Sequence, residues 1–112
     1  MHAEAIRTHC LSKPNATESM PFGGDTLVFK VKQRIFLLLS LRHNPPRFNV
    51  KCDPEKAMAL RESYACVIPG YHMNKKHWNT ILCDQSVPES TVLQWINDSY
   101  FLVSAAAVKK SH

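Results

Sequence analysis

Residues 26–41, TLVFKVKQRIFLLLSL, decide the fold that this sequence predicts. In residues 26–32, apolar side chains recur at every second position, as in a β-strand with one buried face. Residues 35–41 are almost entirely apolar, which is typical of a central strand buried on both faces over part of its length. Because a short turn at residues 32–34 separates these strands, we predict an antiparallel hairpin with a cationic tip.

Further strands are predicted on both sides of this hairpin. Residues 47–51 alternate between a polar face and an apolar face made by Phe48 and Val50, so they continue the sheet. Pro69-Gly70 forces a chain reversal, because proline fixes φ and glycine accepts positive φ. Three other segments predict short strands: residues 16–20, 65–68 and 78–83.

Three helices are predicted from apolar spacing and from end signals. We expect Asp53 to cap the second helix, because an aspartate there can accept a hydrogen bond from a free amide. We expect Ser86 and Glu89 to form a capping box at the start of the third helix. The helices are predicted over residues 1–13, 53–64 and 86–107, with residues 108–112 as a frayed tail.

The order of these elements predicts an α+β two-layer sandwich, an antiparallel sheet with helices on one side. The length of 112 residues suits one domain, residues 1–112, which we expect to be monomeric. No apolar run is long enough to cross a bilayer, and the N-terminus does not resemble a secretory signal. We therefore expect a cytoplasmic protein that does not contact membranes.

The sequence gives little support for catalysis or metal binding. Four cysteines at irregular spacing match no disulfide scaffold, so we interpret them as reduced residues of the core. His72 and His77 are five residues apart, which is not the spacing of a helical zinc site, and no CxxC motif completes a tetrahedron. Cys52 has no evident histidine partner. We expect no enzyme activity, cofactor, metal or small-molecule substrate.

The distribution of charge favours a polyanionic partner. The formal net charge is +5, and the segment from residue 26 to residue 52 contains six basic residues and no acidic one. Residues 63–83 also contain no carboxylate. Clustered cations raise the local potential and gain free energy from counterion release at phosphates.

The second of these segments contains a basic loop, VIPGYHMNKKHWNTIL at residues 67–82. Its lysines could contact phosphates, and Tyr71 and Trp78 could stack on unpaired bases if their rings are exposed. The competing interpretation is that the lysines are merely solvated and that Trp78 packs in the core. In the strand that follows, alternation places Trp78 and Thr80 on one face and Asn79 on the other.

Three stretches of the sequence together resemble a known family. They are PFGGDTLVFKV at residues 21–31, NVKCDPEKAMALRESYACVIPGYHMNKKHWNTI at residues 49–81 and DSYFLV at residues 98–103. On these residues the chain is identified as a member of the MmcQ/YjbR-like family of small bacterial proteins. The resemblance implies a fold like that of secretion chaperones and the CyaY-like group, with the order α-β(3)-α-β(2)-α.

The same resemblance implies DNA binding through a double-wing motif, in which two hairpins or loops flank the nucleic acid. On this sequence the wings correspond to residues 32–34 and to residues 72–79. The hairpin tip is more basic than is usual in the family and lacks its glycine, and Cys66 and Cys83 also depart from the family pattern.

The expected function is therefore weak and largely sequence-independent binding of DNA phosphates by the hairpin of residues 27–41 and the loop of residues 69–79. The alternative is a protein-interaction or chaperone-like adaptor that uses a sheet face carrying Phe36, Leu38 and Phe48. The candidate nucleic-acid-binding residues are Lys30, Lys32, Arg34, Arg47, Asn49, Lys51, His72, Asn74, Lys75, Lys76, His77, Trp78 and Asn79.

Overall fold

In the part of the chain that the structure describes, six strands form one antiparallel sheet, and three helices pack against one of its sides. The structure is a computed structural model that describes residues 1–70 and 73–110, with side chains described as far as residue 106. The elements are α1 (Ala3–Leu11), β1 (Ala16–Ser19), β2 (Thr26–Val31), β3 (Arg34–Ser40), β4 (Arg47–Lys51), α2 (Pro54–Ser63), β5 (Val67–Pro69), β6 (Trp78–Leu82) and α3 (Glu89–Lys110).

The strands lie in the order β1-β2-β3-β4-β6-β5, and every neighbouring pair is antiparallel. The predicted α+β fold is thus confirmed. Four strands precede α2, one more than in the order that the family resemblance implies, and they match the four segments that the residues themselves predict as strands. The additional strand is β1, whose signal was weak because it is short and contains Glu18, a residue type that is depleted in strands.

The β2–β3 hairpin closes through a two-residue turn and contains a bulge. Lys32 and Gln33 have φ angles of 51° and 67°, as a type I′ hairpin turn requires at both central positions. Further along, Phe29 pairs with Leu37 but Lys30 pairs with Ile35, so Phe36 is an extra residue in β3. The bulge allows the consecutive residues Phe36 and Leu37 both to enter the core on the helix side.

This main core lies between the sheet and the helices. Ile6 of α1, Ala57 of α2 and Ile96 of α3 are all completely buried in it. The Ser99 hydroxyl donates a hydrogen bond to the Phe36 carbonyl at 2.6 Å, and the Tyr100 ring meets the Phe36 ring edge-on at 5.5 Å between centroids. These contacts fix α3 across the centre of the sheet.

The opposite side of the sheet, which we call the open face, carries a much smaller apolar cluster. Its buried members are Val28, Leu38 and Trp78, with Ile35 and Met73 packed around them. No helical residue belongs to this cluster in the part of the chain that the structure describes. The expected arrangement of helices on a single side therefore leaves the open face available to a partner.

Both predicted helix caps differ from what the structure shows. Asp53 occupies the N-cap position of α2, and its carbonyl accepts from the Ala57 amide at 2.8 Å, but its side chain makes no capping hydrogen bond. The third helix begins at Glu89, two residues later than a capping box led by Ser86 would require. The amide of Ser86 instead donates to Asp84 Oδ1 at 3.0 Å, and this local turn delays the helix.

The third helix also ends later than predicted. It continues to Lys110, so residues 108–110 of the expected tail are helical, while residues 111–112 lie outside the described residues. Within the described chain, none of the helices combines the length and the hydrophobicity that are needed to cross a bilayer.

Glu18 explains how β1 is held at the sheet edge and makes stability depend on pH. Arg7 of α1 donates two hydrogen bonds to its carboxylate, at 2.6 and 2.8 Å, and these lower the pKa of Glu18 below its ordinary value of 4.5. Because the pKa of Glu18 is lower in the folded than in the unfolded state, its carboxylate stabilises the protein at pH values above the unfolded-state pKa. This stabilisation is lost as the pH falls through the folded-state pKa.

We therefore expect Glu18→Gln to destabilise the protein near neutral pH and to match the wild type in strong acid. The difference in unfolding free energy, measured by urea titration from about pH 7 down to about pH 3, should shrink steadily. Glu62→Gln, at an exposed position near the end of α2, is the control and should show no such trend. A difference that grows in acid would contradict the assignment.

Candidate nucleic-acid interface

Over residues 1–70 and 73–110, the strands present cations to the open face and no carboxylate. In β4, Phe48 and Val50 point into the core, so Arg47, Asn49 and Lys51 point to the open face. Lys30 shares this face, because it alternates with the core residues of β2. Among the described strand residues, Glu18 alone is acidic, and it is turned toward α1.

Four of the predicted residues line one cleft, which we call the basic cleft. Arg34 comes from the start of β3, Lys51 from the end of β4, and His77 and Trp78 from the loop and the start of β6. The volume is about 480 Å³. Its other lining residues are Ile35, Cys52, Asp53, Pro54, Leu102, Val103 and Ala106. The two carboxylate-free segments of the sequence therefore converge at one end of the sheet.

Backbone hydrogen bonds hold the basic loop in place beside this cleft. The Cys52 amide donates to the His77 carbonyl at 2.7 Å, and the Gly70 amide donates to the Trp78 carbonyl at 2.9 Å. Arg61 of α2 donates from Nη2 to the Lys75 carbonyl at 3.0 Å. Because these contacts use the main chain of the loop, they leave its side chains available.

The lysines of the loop are exposed. The Asn74 side chain accepts a hydrogen bond from the Lys76 amide at 2.9 Å, so it stabilises a local turn and presents Lys75 and Lys76 to solvent. Lys32 is likewise exposed at the hairpin tip. Tyr71 and His72 lie outside the described residues.

The ion pairs of the described chain do not use the predicted cations. They join Arg7 to Glu4 and Glu18, Arg42 to Asp25, and Lys56 to Asp98. Across residues 1–70 and 73–106, the charges of the basic cleft and of the open face are thus not neutralised by a carboxylate within salt-bridge distance.

Asn79 is a wrong prediction as a nucleic-acid contact. It is completely buried on the helix side of β6, where its Nδ2 donates to the Ala57 carbonyl at 3.1 Å. This side chain connects the sheet to α2 and cannot reach a ligand in the folded protein. Its Oδ1 atom is buried without a hydrogen-bond partner.

Trp78 is also buried, with 8% of its surface exposed, which favours the interpretation as a packed residue. The Lys51 ammonium lies 5.4 Å from the centroid of its ring and covers the indole. The ring is therefore not free to stack on a base. Its role at the cleft is to hold Lys51 in position, because a cation over an indole face loses part of its freedom to move.

Arg47 and Asn49 are only partly accessible on the open face. Thr80 donates from its hydroxyl to Asn49 Oδ1 at 2.5 Å, and the Arg47 Nε atom is buried without a hydrogen-bond partner. Both residues are half-buried. The structure thus divides the predicted residues into an accessible group of cations and a group that mainly supports the fold.

The apolar sheet face expected for a protein partner does not exist as predicted. Phe36 and Phe48 are buried beneath the helices, whereas Leu38 lies on the open face. Alternation in the sequence could not show that these residues lie on different faces. The bulge at Phe36 changes which face the following residues take, and an all-apolar run does not reveal the change.

The apolar wall of the basic cleft is what sequence reasoning missed. Leu102 and Ala106 of α3 are distant in sequence from the cationic residues that line the same cleft, and no local pattern connects the two. The signal in the sequence was that Phe101 and Leu102 lie beside the apolar stripe predicted for the third helix; in the structure they are 61% and 38% exposed.

All four cysteines are buried and free. Burial raises the pKa of Cys10 to about 12 and the pKa of Cys52 and Cys83 to about 11. These thiols are therefore protonated at neutral pH and are poor nucleophiles. Among the residues that the structure describes, no group of three or more His, Cys, Asp or Glu side chains is arranged to hold a metal ion.

Together, the fold and the surface define a small α+β domain whose sheet is covered on one side and cationic on the other. The chain belongs to the YjbR family, whose model matches residues 11–102. It is 36% identical over 107 residues to the uncharacterised protein YbdF of Escherichia coli O157:H7, a match that covers 96% of this chain and 88% of the relative. It is 33% identical over 100 residues to the uncharacterised protein YjbR of Escherichia coli K12, covering 89% of this chain and 85% of the relative.

Solved structures agree with this assignment. The crystal structure of Deinococcus radiodurans protein DR2400, a DUF419 domain, matches with a TM-score of 0.85 and 38% identity, over 90% of this chain and 77% of that chain. A crystal structure of a Pseudomonas syringae protein matches with a TM-score of 0.78 and 23% identity, over 92% of this chain and 99% of that chain, and supports the fold alone.

Proposed function

We propose that this protein is a non-enzymatic, monomeric, cytoplasmic nucleic-acid-binding protein. Its open face and basic cleft contact the phosphates of DNA with little dependence on sequence. The observation that carries the proposal is the convergence of Arg34, Lys51 and His77 on one cleft, beside an open face without strand carboxylates. The exposed Lys32, Lys75 and Lys76 extend this charge along the chain.

Unpaired cations on one side of a domain suit a polyanion for a physical reason. Each lysine or arginine that neutralises a phosphate releases condensed counterions, and this release favours binding at low salt. Phosphate contacts position a protein but carry no sequence information, and base edges are read by amide and guanidinium groups in the grooves. Because Asn79 is buried and Asn49 accepts a hydrogen bond from Thr80, we expect little direct reading of sequence.

The double-wing arrangement that the family resemblance implies is part of this proposal. The hairpin tip with Lys32 forms one wing, and the basic loop with Lys75 and Lys76 forms the other. Both project from the same sheet, and the basic cleft contains residues of both the hairpin and the loop.

Arg34→Ala is expected to weaken DNA binding and to reduce its salt dependence. Loss of one phosphate contact should lower the slope of log K against log salt by about 0.9 for duplex DNA. The measurement is fluorescence anisotropy with a labelled duplex between about 50 and about 200 mM salt, where nonspecific dissociation constants of roughly 10⁻⁴ to 10⁻⁶ M are typical.

The matched control is Arg42→Ala, which removes the same charge near the opposite end of β3, where Arg42 pairs with Asp25 at 3.7 Å. It should leave the salt slope unchanged. Equal losses for the two variants would mean that net charge, and not the basic cleft, drives binding. Absence of any association at low salt would refute the proposed function.

The alternative function, a chaperone-like protein adaptor, is favoured by a different observation. A second cleft of about 370 Å³ lies between α2 and α3, and the exposed Phe101 and Leu102 line it together with Trp95 and Leu60. An apolar cleft of this kind suits an apolar peptide segment. Phe101→Ala should abolish partner capture that survives nuclease treatment if this alternative holds, and it should leave DNA binding unchanged.

A further inference from the structure

We infer that the basic cleft accepts one unpaired nucleotide, so that the protein prefers single-stranded nucleic acid to a duplex. This inference rests on the proposed function and adds to it the form of nucleic acid that the site selects. The carrying observation is that the lining of the cleft combines cationic and aliphatic side chains, which come from the sheet and from α3.

The lining of the cleft has a cationic part and an apolar part. Arg34, Lys51 and His77 supply hydrogen-bond donors, two of them on cationic side chains. Ile35 of β3 and Leu102 and Ala106 of α3 supply an aliphatic wall. A nucleotide is divided in the same way, since its phosphate is anionic and the faces of its base are flat and weakly hydrated.

The size of the cleft fits a ligand of this class. Its volume of about 480 Å³ lies within the range of roughly 300–1,000 Å³ that is usual for small-ligand sites. The bases of a duplex are stacked and paired, so a base can enter such a cleft only after unstacking, which costs free energy. An unpaired base enters without most of that cost, and this difference produces the preference for single strands.

The neighbouring cleft between α2 and α3 does not share this chemistry. Its lining contains Asp53 and Asp98 as well as Lys51 and Lys56, and the Lys56 ammonium lies 2.6 Å from Asp98. Its cations are therefore matched in number by carboxylates. The basic cleft has two permanent cations and a histidine against Asp53 alone among its lining residues, which assigns the phosphate to the basic cleft.

Trp78 does not act as a stacking platform in this arrangement. Because Lys51 covers the ring at 5.4 Å, the base packs against the aliphatic wall, and Lys51 is held where the adjoining phosphate lies. The site thus differs from single-strand binders in which exposed aromatic rings carry the affinity.

A cleft-filling substitution tests the inference without changing charge. Ala106→Phe places a ring in the cleft, whereas Ala105→Phe places the same ring on the exposed side of the same helix and is the matched control. We expect Ala106→Phe to weaken binding of a labelled single-stranded 20-mer by roughly tenfold and to leave duplex binding unchanged, with no effect of Ala105→Phe. The same titration with single-stranded DNA and with single-stranded RNA shows whether the cleft accepts deoxyribose, ribose or both.

Two further measurements make the result decisive. Adenosine 5′-monophosphate should compete with the single strand, while inorganic phosphate at equal ionic strength should not, because it lacks a base. If circular dichroism shows that Ala106→Phe is unfolded, Leu102→Trp at the partly exposed rim replaces it.

The outcomes separate this inference from the proposed function. Equal affinity for single and double strands, with no effect of the cleft-filling variant, would overturn the inference and leave phosphate binding intact. Failure to bind either form at low salt would overturn both.

Discussion

Replacing Phe36 by alanine is expected to lower the free energy of unfolding by about 3–5 kcal/mol, the usual cost of removing a buried phenylalanine ring. Phe36 is completely buried, its ring contacts Tyr100 and lies near Phe29, and its carbonyl accepts the Ser99 hydroxyl. Truncation would remove the ring contacts, while leaving the backbone carbonyl in place, and would create a cavity beneath α3. Small domains are stable by about 5–15 kcal/mol, so this one change would consume a large share of the total.

Urea denaturation followed by tryptophan fluorescence would measure this loss. Phe22→Ala is the matched control, because Phe22 is 71% exposed and the same truncation should there change the unfolding free energy by less than about 0.5 kcal/mol. If Phe36→Ala proves too unstable to purify, Phe36→Leu should retain the fold at a cost below about 1.5 kcal/mol. A wild-type-like Phe36→Ala variant would refute the placement of this ring in the core.

Replacing Gly70 by alanine is expected to cost about 1–3 kcal/mol through overpacking. Gly70 is buried where the chain turns after β5, and a Cβ atom at this position would lie 2.8 Å from Trp78 Cβ and 2.9 Å from the Trp78 carbonyl oxygen. Backbone atoms cannot rotate out of the way, so either β6 or the basic loop must shift. Because the Gly70 amide bonds the Trp78 carbonyl, that shift would also disturb the base of the loop.

Gly24→Ala provides the comparison for this second substitution. A Cβ atom at Gly24 meets nothing within 4 Å, so alanine should be tolerated there. The prediction is checked by the midpoint of urea unfolding and by DNA affinity under conditions in which both variants are folded. We expect Gly70→Ala to weaken binding as well as stability, and equal behaviour of the two variants would contradict the close contact with Trp78.

The sequence was sufficient to predict most of the elements, because period-two alternation and turn residues are local signals. The bulge at Phe36 was not predictable, since residues 35–39 are all apolar and an apolar run contains no information about which face each residue takes. The contact that holds the edge strand β1 was not predictable, since it joins Glu18 to Arg7 of a separate element.

The candidate site was predicted less completely than the fold. Charge segregation along the chain correctly indicated that the hairpin and the loop carry cations, and the structure brings part of each to one cleft. Alternation in β6 correctly separated Asn79 from Trp78, but it could not show which of these two faces the helices cover. The aliphatic wall of the cleft depends on where α3 lies, and that position is set by packing on the whole sheet.

The residues of β4 alternate strictly between the two faces of the sheet, and this alternation limits which mutations the strand can tolerate. Neighbouring residues of one short segment serve opposite purposes, as Phe48 and Val50 hold the helices while Arg47 and Lys51 face outward. Inserting or deleting a single residue in β4 would move every following side chain to the opposite face of the sheet. Charged side chains would then point into the core, and apolar side chains would be exposed to water. Length variation is therefore tolerable in the connecting loops, whereas this strand can diverge only by substitution.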